Sequence, residues 1–462
     1  MSSSVSSLTT GLGTSTGTAT SASLGQGIDV NSFVQLALAG QTGQIASLQA
    51  QQATINSHSS AVSQIDSQLT SLQTSVTALS DPLGVVNSEV ATSSDSSTLT
   101  ATATATAVPG THIISVTSLA TTSSYYSDAV AASSTALATG DTITISAGGN
   151  QVASVSVDST NNTLDGLAQA INNQSGSLQA SVIQDANGAR LAIVSKISGA
   201  PGNLAITGSL HQINNAAINF HQALAGTNAV LTVDGVPVSS AGNTVNNVIG
   251  GVTLNLVSPT GNTPTSLTVA PDTSSITLAI NNFVTSYNTA INSLNSQFQV
   301  GAGGIGGPLS ADGSARDAQQ QLLSAITYST SGTGGAVNLT SIGINVNNDG
   351  TLTVDSGALA TALTSNFSGV RSFLQGSTAA FAGNFNTVLT GITDPNSGVL
   401  GLDHQGLIKS LLDVTNHISD IQANIAVQTS NLTAVYARVN TTLQELPLLQ
   451  QQLSQQLASV AR

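Results

Sequence analysis

One stretch of the sequence, residues 411–460, reads LLDVTNHISDIQANIAVQTSNLTAVYARVNTTLQELPLLQQQLSQQLASV. An apolar residue stands at every seventh position of this stretch: Leu411, Ile418, Ile425, Leu432, Val439, Leu446, Leu453 and Val460. A sustained seven-residue apolar repeat is typical of helices that pair along a seam. The stretch therefore predicts a long helix that packs lengthwise against a partner, and Pro447 is expected to kink it.

A second repeat of the same kind lies far upstream. Its seam consists of Leu48, Ile55, Val62, Leu69 and Val76, and Ile65, Leu72 and Leu79 accompany it. The helical pattern begins at Val30, and Asp81-Pro82 ends it, because proline cannot continue a helix interior. Two end helices can pair as a coiled-coil stalk or pack as an ordinary antiparallel bundle, and their length favours the stalk.

Between the end helices the apolar period changes from 3.5 to two, which is typical of strands. Gly148–Asn150, Asn187–Gly188 and Asp234–Gly235 each separate two alternating segments and predict hairpins. A short helix is predicted where Leu164, Leu167, Ala168 and Ile171 share one face, with Asn162 or Thr163 as its N-cap. The fold class is therefore α+β and multidomain: terminal helices paired as a coiled-coil or bundle leg, with inserted β-rich head domains.

Two further helices are predicted after the strands. From Ser275 onward, apolar residues at three- and four-residue spacing form one buried face. A shorter helix is predicted from Ala315 to Ile326. The glycine-rich segment Gly301–Gly307 between them is predicted to be a linker.

Charge and composition exclude several classes of partner. Only 6% of residues are charged, the formal net charge is −14, and the seven Lys and Arg residues are scattered. Binding to nucleic acid needs clustered cations, so no nucleic acid partner is expected. No apolar run is long enough to span a membrane. Met1–Thr20 is rich in Ser, Thr and Gly and has no apolar core of a signal peptide, so export is expected to proceed without a cleaved signal.

The residue types that carry chemistry do not form a recognisable site in the sequence. The six histidines show no i,i+4 pair and no cluster with carboxylates, and there is no cysteine. Gly301, Gly303 and Gly306 have dinucleotide-fingerprint spacing, but a helix rather than a strand precedes them. The sequence therefore predicts no enzyme activity, no cofactor and no metal site.

Ordered along the whole chain, nine short motifs resemble the flagellar hook-associated protein 2 family, the filament-capping proteins of bacterial flagella. The motifs are Gly27–Val34, Ala107–Thr111, Ser115–Ala120, Ala170–Asn172, Leu231–Gly235, Gly251–Leu256, Ile342–Ile344, Gly350–Leu352 and Gly398–Leu400. The motifs are specific for this family as an ordered set, whereas no single motif is.

The resemblance implies a structural function at the distal tip of the filament, outside the cell. The chain would associate with itself as a ring-shaped homo-oligomer, by default a pentamer, that promotes folding and insertion of exported flagellin. Its further partner would be an export chaperone of the flagellar type III system. The ring would not match the filament symmetry, so flexible joints are expected at Gly25–Gly27 and at Asp394–Gly401.

The resulting domain division has four parts. Residues 1–40 and 447–462 form a flexible terminal region that is ordered on assembly, and residues 41–95 and 275–446 form the helical leg. Residues 96–128 and 226–274 form a β-rich head domain, and residues 129–225 form a second β-rich head domain inserted in the first.

Two other functions remain open from the sequence. Another flagellar axial protein, such as a hook–filament junction subunit, would share the end helices but should lack the Asp234-Gly235 signature. A secreted adhesin with a coiled-coil stalk would need an export signal.

Overall fold

The computed structural model describes residues 29–300, 306–330, 337–375 and 380–460. These residues form an α+β multidomain protein, as predicted. The helices are α1 (Val30–Ser80), α2 (Leu164–Gln174), α3 (Thr273–Phe298), α4 (Gly313–Ile326), α5 (Ser356–Ser365), α6 (Phe367–Gln375), α7 (Phe381–Thr393) and α8 (Val399–Val460).

The strands occupy the middle of the chain, apart from a two-stranded ribbon further on. They are β1 (Glu89–Ser93), β2 (Leu99–Ala103), β3 (Gly110–Ser118), β4 (Thr122–Ser127), β5 (Thr142–Ala147), β6 (Asn150–Ser156), β7 (Leu178–Asp185), β8 (Gly188–Ser198), β9 (Leu204–Gly208), β10 (Phe220–Leu224), β11 (Ala229–Val233), β12 (Val236–Ser240), β13 (Thr244–Asn246), β14 (Val252–Leu256), β15 (Thr265–Pro271), β16 (Ile344–Val346) and β17 (Leu352–Val354).

Helix α1 begins and ends where the sequence predicted. The Asp29 carboxylate accepts hydrogen bonds from the backbone N–H groups of Asn31 (3.1 Å) and Ser32 (3.3 Å) and so caps the first turn. The Ser32 hydroxyl and backbone bonds also hold the pKa of Asp29 below its usual value. At the other end, Ser80 is the last helical residue before Asp81-Pro82.

The first head domain consists of two sheets around one apolar core. One sheet has the strand order β1-β15-β3-β11-β12 and the other has the order β13-β14-β2. In the β11–β12 hairpin, Asp234 and Gly235 both have positive φ, 50° and 82°, as a two-residue type I′ turn requires. The predicted hairpin is therefore confirmed. The core includes the fully buried Leu99, Ile114, Leu231, Leu254 and Leu267.

The second head domain is inserted between β3 and β11. Its sheets have the orders β10-β4-β8-β7 and β6-β5-β9, and α2 packs on their shared core. The Thr163 hydroxyl accepts a 3.0 Å hydrogen bond from the Gly166 N–H, which confirms Thr163 as the N-cap of α2. The two ends of the insertion meet, because the Thr121 N–H donates to the Thr227 carbonyl at 2.9 Å.

The strand pairing extends both head domains beyond the predicted bounds. Strand β4 pairs with β8 and β10, so residues 122–127 belong to the inserted domain, before the predicted boundary at 129. Strand β1 pairs with β15, so the first head domain begins near residue 89 instead of 96. Neither boundary is marked by Pro or Gly at that position in the sequence. Which strands pair depends on contacts between residues far apart in the chain.

By compactness the chain divides into two units. One consists of Met1–Leu69, Asn292–Gln321 and Thr390–Arg462, so far as these ranges are described, and the other of Thr70–Ile291 and Leu322–Leu389. Helices α1, α3, α4 and α7 each contribute residues to both units. The second unit therefore contains, besides the head domains, part of the predicted helical leg.

The helical part of the second unit has an aromatic core. Phe283 and Tyr287 of α3 meet Phe381 and Phe385 of α7, and the Phe283 and Phe381 rings stand edge to face with centroids 5.6 Å apart. The buried Tyr287 hydroxyl donates a 3.0 Å hydrogen bond to the Gly350 carbonyl. Burial raises the pKa of Tyr287.

Candidate functional site: the paired end helices

Helices α1 and α8 lie side by side and antiparallel within the first unit. The Gln41 amide donates to Gln428 and the Gln52 amide donates to Thr415, both at 2.9 Å. Nearer the start of α1, the rings of Phe33 and Tyr436 have centroids 5.9 Å apart. Residue numbers thus rise along α1 as they fall along α8, which brings two distant segments of the sequence into one leg.

The apolar face of α8 is best buried in its first half. Val414 and Ile418 are 8% exposed and Ile421 is 9% exposed. The neighbouring seam residues Leu411, Ile425 and Leu432 are half-buried. On α1, Val62 and Leu69 are buried, whereas Leu48 and Ile55 are half-buried, and Val76 is buried within the second unit.

The later seam residues of α8 are exposed. Val439 and Leu446 are 42% exposed and Leu453 is 61% exposed, while the side chain of Val460 lies outside the described residues. Phe33 lies beside Tyr436 and the two helices are antiparallel, so Val30, the first residue of α1, lies beside about Val439. Beyond Val439, therefore, α1 no longer runs alongside α8. A strict seven-residue repeat also drifts around a straight helix by about 20° per heptad, so the exact repeat leaves the contact face.

Beyond that point α8 carries a stripe of exposed leucines. We call Leu446, Leu449, Leu453 and Leu457 the leucine stripe, and their exposure ranges from 42% to 64%. Helix α8 continues unbroken through Pro447, although a kink is expected there. Proline removes the N–H that would bond the Leu443 carbonyl and its ring crowds that carbonyl, but the position is exposed and water can satisfy the carbonyl.

The turn that leads into α8 is tightly built, contrary to the flexible joint predicted at Asp394–Gly401. The Asp394 carboxylate accepts bonds from the backbone N–H groups of Asn396 and Ser397 and from the Ser397 hydroxyl, each 2.9 Å long. These bonds, led by that from Asn396, lower the pKa of Asp394. A Cβ at Gly401 would overlap the Asp394 carbonyl oxygen. Glycine here permits close packing rather than motion. The other predicted joint, Gly25–Gly27, lies outside the described residues.

A group of carboxylates and histidines lies inside the first unit. Burial, followed by the negative charge of Asp312, raises the pKa of Asp403, and the charges of His58 and His404 oppose that shift. Burial likewise raises the pKa of Asp66. Asp66 and His404 line a cavity of about 240 Å³. In the described part of the chain no group of three or more His, Cys, Asp or Glu residues could hold a metal ion.

Three histidines of the head each pair with one carboxylate, and no pattern in the sequence indicated these pairs. The nitrogen–oxygen distances are 2.7 Å for His112–Asp234, 3.0 Å for His211–Asp141 and 2.8 Å for His221–Asp128. Partners 70 to 122 residues apart leave no spacing signal in a sequence. Gly301 and Gly303 of the dinucleotide-like spacing lie outside the described residues.

No helix in residues 29–300, 306–330, 337–375 or 380–460 is long and apolar enough to cross a membrane.

Comparison with known proteins finds two family models. The model of the flagellar hook-associated protein 2 N-terminus matches residues 26–123, and the model of the flagellar hook-associated protein 2 C-terminus matches residues 226–447. The interval between the two matches corresponds to the inserted head domain, β4 to β10.

Proteins similar over nearly the whole chain carry the same family name. The B-type flagellar hook-associated protein 2 of Pseudomonas aeruginosa is 30% identical over 457 residues, 93% of this chain and 95% of that protein. The flagellar hook-associated protein 2 of Escherichia coli is 28% identical over 461 residues, 94% of this chain and 97% of that protein. Among solved structures, three domains of the flagellar cap protein FliD from Escherichia coli match with a TM-score of 0.60 and 29% identity, covering 75% of this chain and 99% of that one.

Proposed function

The chain belongs to the flagellar hook-associated protein 2 family, which caps the bacterial flagellar filament, and from this premise we propose that it forms a ring at the filament tip that helps exported flagellin fold and join the filament. The ring is a homo-oligomer, by default a pentamer. The observation that carries the proposal is the antiparallel pairing of α1 with α8 around inserted β-rich domains. Its role is structural, and no catalytic step is part of it.

The head domains and the helical leg would have different roles in the cap. The head domains of several copies form a plate, and the paired helices act as legs that stand on the last filament subunits. The leucine stripe at the end of α8 supplies apolar area for that contact, since burying exposed leucine surface is favourable. The seam residues of α1, from Leu48 to Val76, and of α8, from Leu411 to Val460, are proposed as the assembly seam of the leg. The last part of the α8 seam is covered only after assembly.

Export is proposed to use the flagellar type III system, with its chaperone, and to leave the N-terminus uncleaved. The protein recovered from the filament tip should therefore keep residues 2–22. Mass spectrometry of that protein checks this, and a product that begins after Ala22 contradicts it.

The test of function is a deletion strain. Without the plate, flagellin is still made and exported but diffuses away before it adds to the filament. The strain should be non-motile, carry hooks without long filaments and release unpolymerised flagellin into the medium. The full chain should restore filaments, and a chain lacking residues 447–462 should restore them poorly.

Pro447→Ala is the matched control for the truncation, because it alters the same point of α8 and keeps the leucine stripe. It should restore filaments fully. Full-length filaments in the deletion strain would contradict the cap and favour the adhesin. A labelled chain found at the hook, and not at the tip of grown filaments, would identify a junction subunit instead.

A further inference from the structure

Helix α2 of the inserted head domain lies against the outer strands of two sheets. The strand orders β10-β4-β8-β7 and β6-β5-β9 make β7 and β6 outer strands, and α2 packs against both. An outer strand presents a row of backbone N–H and C=O groups to which a strand of another chain can bond. Helix α2 therefore lies where such strand addition would begin.

The contact of α2 with β7 is made by Asn172. Its side-chain nitrogen donates a 2.8 Å hydrogen bond to the Ala180 carbonyl, and its side-chain oxygen accepts a 2.7 Å hydrogen bond from the Ala180 N–H. A side-chain amide has the same donor and acceptor groups as a backbone peptide. Asn172 therefore makes the two bonds that a neighbouring strand would make to Ala180.

The contact of α2 with β6 is made by Gln174, the last residue of the helix. Its side-chain oxygen accepts a 2.9 Å hydrogen bond from the Ser154 N–H. The apolar face of α2 is buried in the domain core and holds the helix in this position: Leu164, Leu167, Ala168 and Ile171. The end of α2 is thus bonded to the outer strands of both sheets.

The sequence of β7 makes its edge prone to strand addition. The strand reads LQASVIQD, and Asp185 at its end is its only charged residue. Val182 and Ile183 favour strands, and Ile183 is 59% exposed. Proteins commonly protect such edges with lysine, but the only lysines of this chain are Lys196 and Lys409. The edge of β7 therefore needs another kind of protection.

Other outer strands of the head have protection of other kinds. Strand β12, at the edge of the first head domain, contains Pro237, which has no N–H to donate. Strand β10 has a register shift between Gln222 and Leu224, and such bulges oppose edge pairing. Strand β7 contains no proline, and its pairing with β8 is continuous from Leu178 to Asp185. In β7 the bonds from Asn172 take the place of these features.

We propose that Asn172, supported by Gln174, is an edge guard: it occupies the outer backbone groups of the sheet and keeps the inserted domain from adding a strand of another chain. The chain that it keeps out is a second copy, because identical uncharged strands are well suited to pair with one another. The inference goes beyond the cap function and does not depend on it.

A role within the helix alone does not account for Asn172. Asparagine in a helix interior is less favourable than alanine. Asn172→Ala should therefore keep or raise the helical tendency of α2, while it leaves the Ala180 N–H and C=O open to another chain. A residue that mattered only to the helix would cause no association when replaced by alanine.

The test measures the mass distribution of the full-length protein by analytical ultracentrifugation. At equal concentration, the fraction of Asn172→Ala in species heavier than any ring should exceed the wild-type fraction by about tenfold or more. Gln174→Ala should act in the same direction but less strongly, because it removes one bond instead of two. The matched control is Asn173→Ala, the same change at the next, exposed position, and it should keep the wild-type distribution.

A second substitution distinguishes strand addition from misfolding. Ser181→Lys places a charge at an exposed position of β7, where lysine opposes edge pairing, but it does not restore the bonds to Ala180. Combined with Asn172→Ala, it should return the mass distribution to that of the wild type. Equal association of Asn172→Ala and Asn173→Ala would contradict the edge guard. So would association that Ser181→Lys fails to reverse, since its cause would then lie outside the β7 edge.

Discussion

At the residue scale, two glycines of α8 serve opposite purposes. A side chain at Gly401 would overlap the Asp394 carbonyl oxygen, so only glycine lets the helix approach the preceding turn. A Cβ at Gly406, five residues later, would meet nothing within 4 Å. Glycine in a helix interior lowers helix stability by about 1 kcal/mol relative to alanine. One position therefore needs glycine, and the other loses stability by having it.

Alanine substitution at these two positions should separate the two effects. We expect Gly401→Ala to lower the free energy of unfolding by about 1–3 kcal/mol, because the turn must shift to admit a methyl group. Gly406→Ala should raise it by about 1 kcal/mol. Urea unfolding followed by circular dichroism measures both. Equal effects at the two sites would show that the Asp394 turn is not tightly packed against α8.

The pair of His112 and Asp234 should make stability depend on acid pH. Hydrogen bonds from His112 and from the Ile113 N–H hold the pKa of Asp234 below its ordinary value of 3.8. The stabilisation is therefore complete above about pH 4 and is lost as the pH falls through the lower, folded-state pKa. Asp234→Asn should unfold more easily than wild type at pH 6, and the difference should vanish near pH 2.

Thermal melting of both proteins across this pH range provides the measurement. Asparagine tolerates the positive φ of this turn position, so the hairpin should survive the change. Asp413→Asn removes the same charge from an exposed position of α8 and should leave the pH profile unchanged. A wild-type advantage that persists at pH 2 would contradict the lowered pKa.

At the element scale, the contact face of α8 differs from its seven-residue repeat. Val414, Ile418 and Ile421 are buried, while Val439 continues the exact repeat yet is exposed. The repeat predicts the existence and length of the helix, and the burial depends on how far the partner helix extends. Aspartate substitutions along the same repeat can therefore measure where pairing stops.

We expect Ile418→Asp to destabilise the leg by about 2–4 kcal/mol, because it buries an unpaired charge in place of a packed aliphatic group. Ile425→Asp should cost less, since Ile425 is half-buried, and Val439→Asp should change stability by less than about 0.5 kcal/mol. Circular dichroism during denaturation gives the ranking. Ala426→Asp, at an exposed position beside Ile425, is the control. Similar losses at all three seam positions would indicate that pairing extends along the whole repeat.

Local signals explain which elements the sequence could predict. The start of α1 at Val30, its stop before Asp81-Pro82 and the Asp234-Gly235 turn each depend on neighbouring residues alone. The membership of β4, the aromatic core around Phe283 and the pair of His112 with Asp234 depend on residues far apart in the chain. No periodicity or spacing records such contacts. In the leg, the seven-residue repeat predicted the seam residues of α8. It did not predict that the last of these residues are exposed.

At the scale of the whole molecule, the inserted head domain contacts the rest of the head beside its two chain ends. There the Ser198 hydroxyl donates to the Ala241 carbonyl at 2.8 Å, and the Ala200 N–H donates to the Asn228 side chain at 2.7 Å. Thr121 and Thr227 are hydrogen-bonded to each other through their backbones and also through their hydroxyls, 2.9 Å apart. The domain has its own core, and its chain ends lie side by side. Such an arrangement allows a domain to be removed without disturbing its host.

Replacing residues 122–226 by a short Gly-Ser turn should leave the first head domain folded, because β3 and β11 are already paired beside the junction. The excised segment, residues 121–227, should fold alone and unfold cooperatively. Circular dichroism and denaturation of the two proteins test this. Removing residues 178–198 instead takes away β7 and β8 and should abolish cooperative unfolding of the segment. An unfolded host after clean excision would show that the first domain needs the second.

The positions of the Lys and Arg residues determine where proteases that cleave after these residues can cut the native protein. Such proteases cleave a segment only when its backbone hydrogen bonds break and it can enter the protease active site. Every Lys or Arg in the described residues lies inside a helix or strand, and none is in a loop: Arg190 and Lys196 in β8, Arg316 in α4, Arg371 in α6, and Lys409 and Arg438 in α8. Trypsin should therefore cut the native protein only as fast as one of these elements opens, so the order in which fragments appear ranks the elements by their local stability.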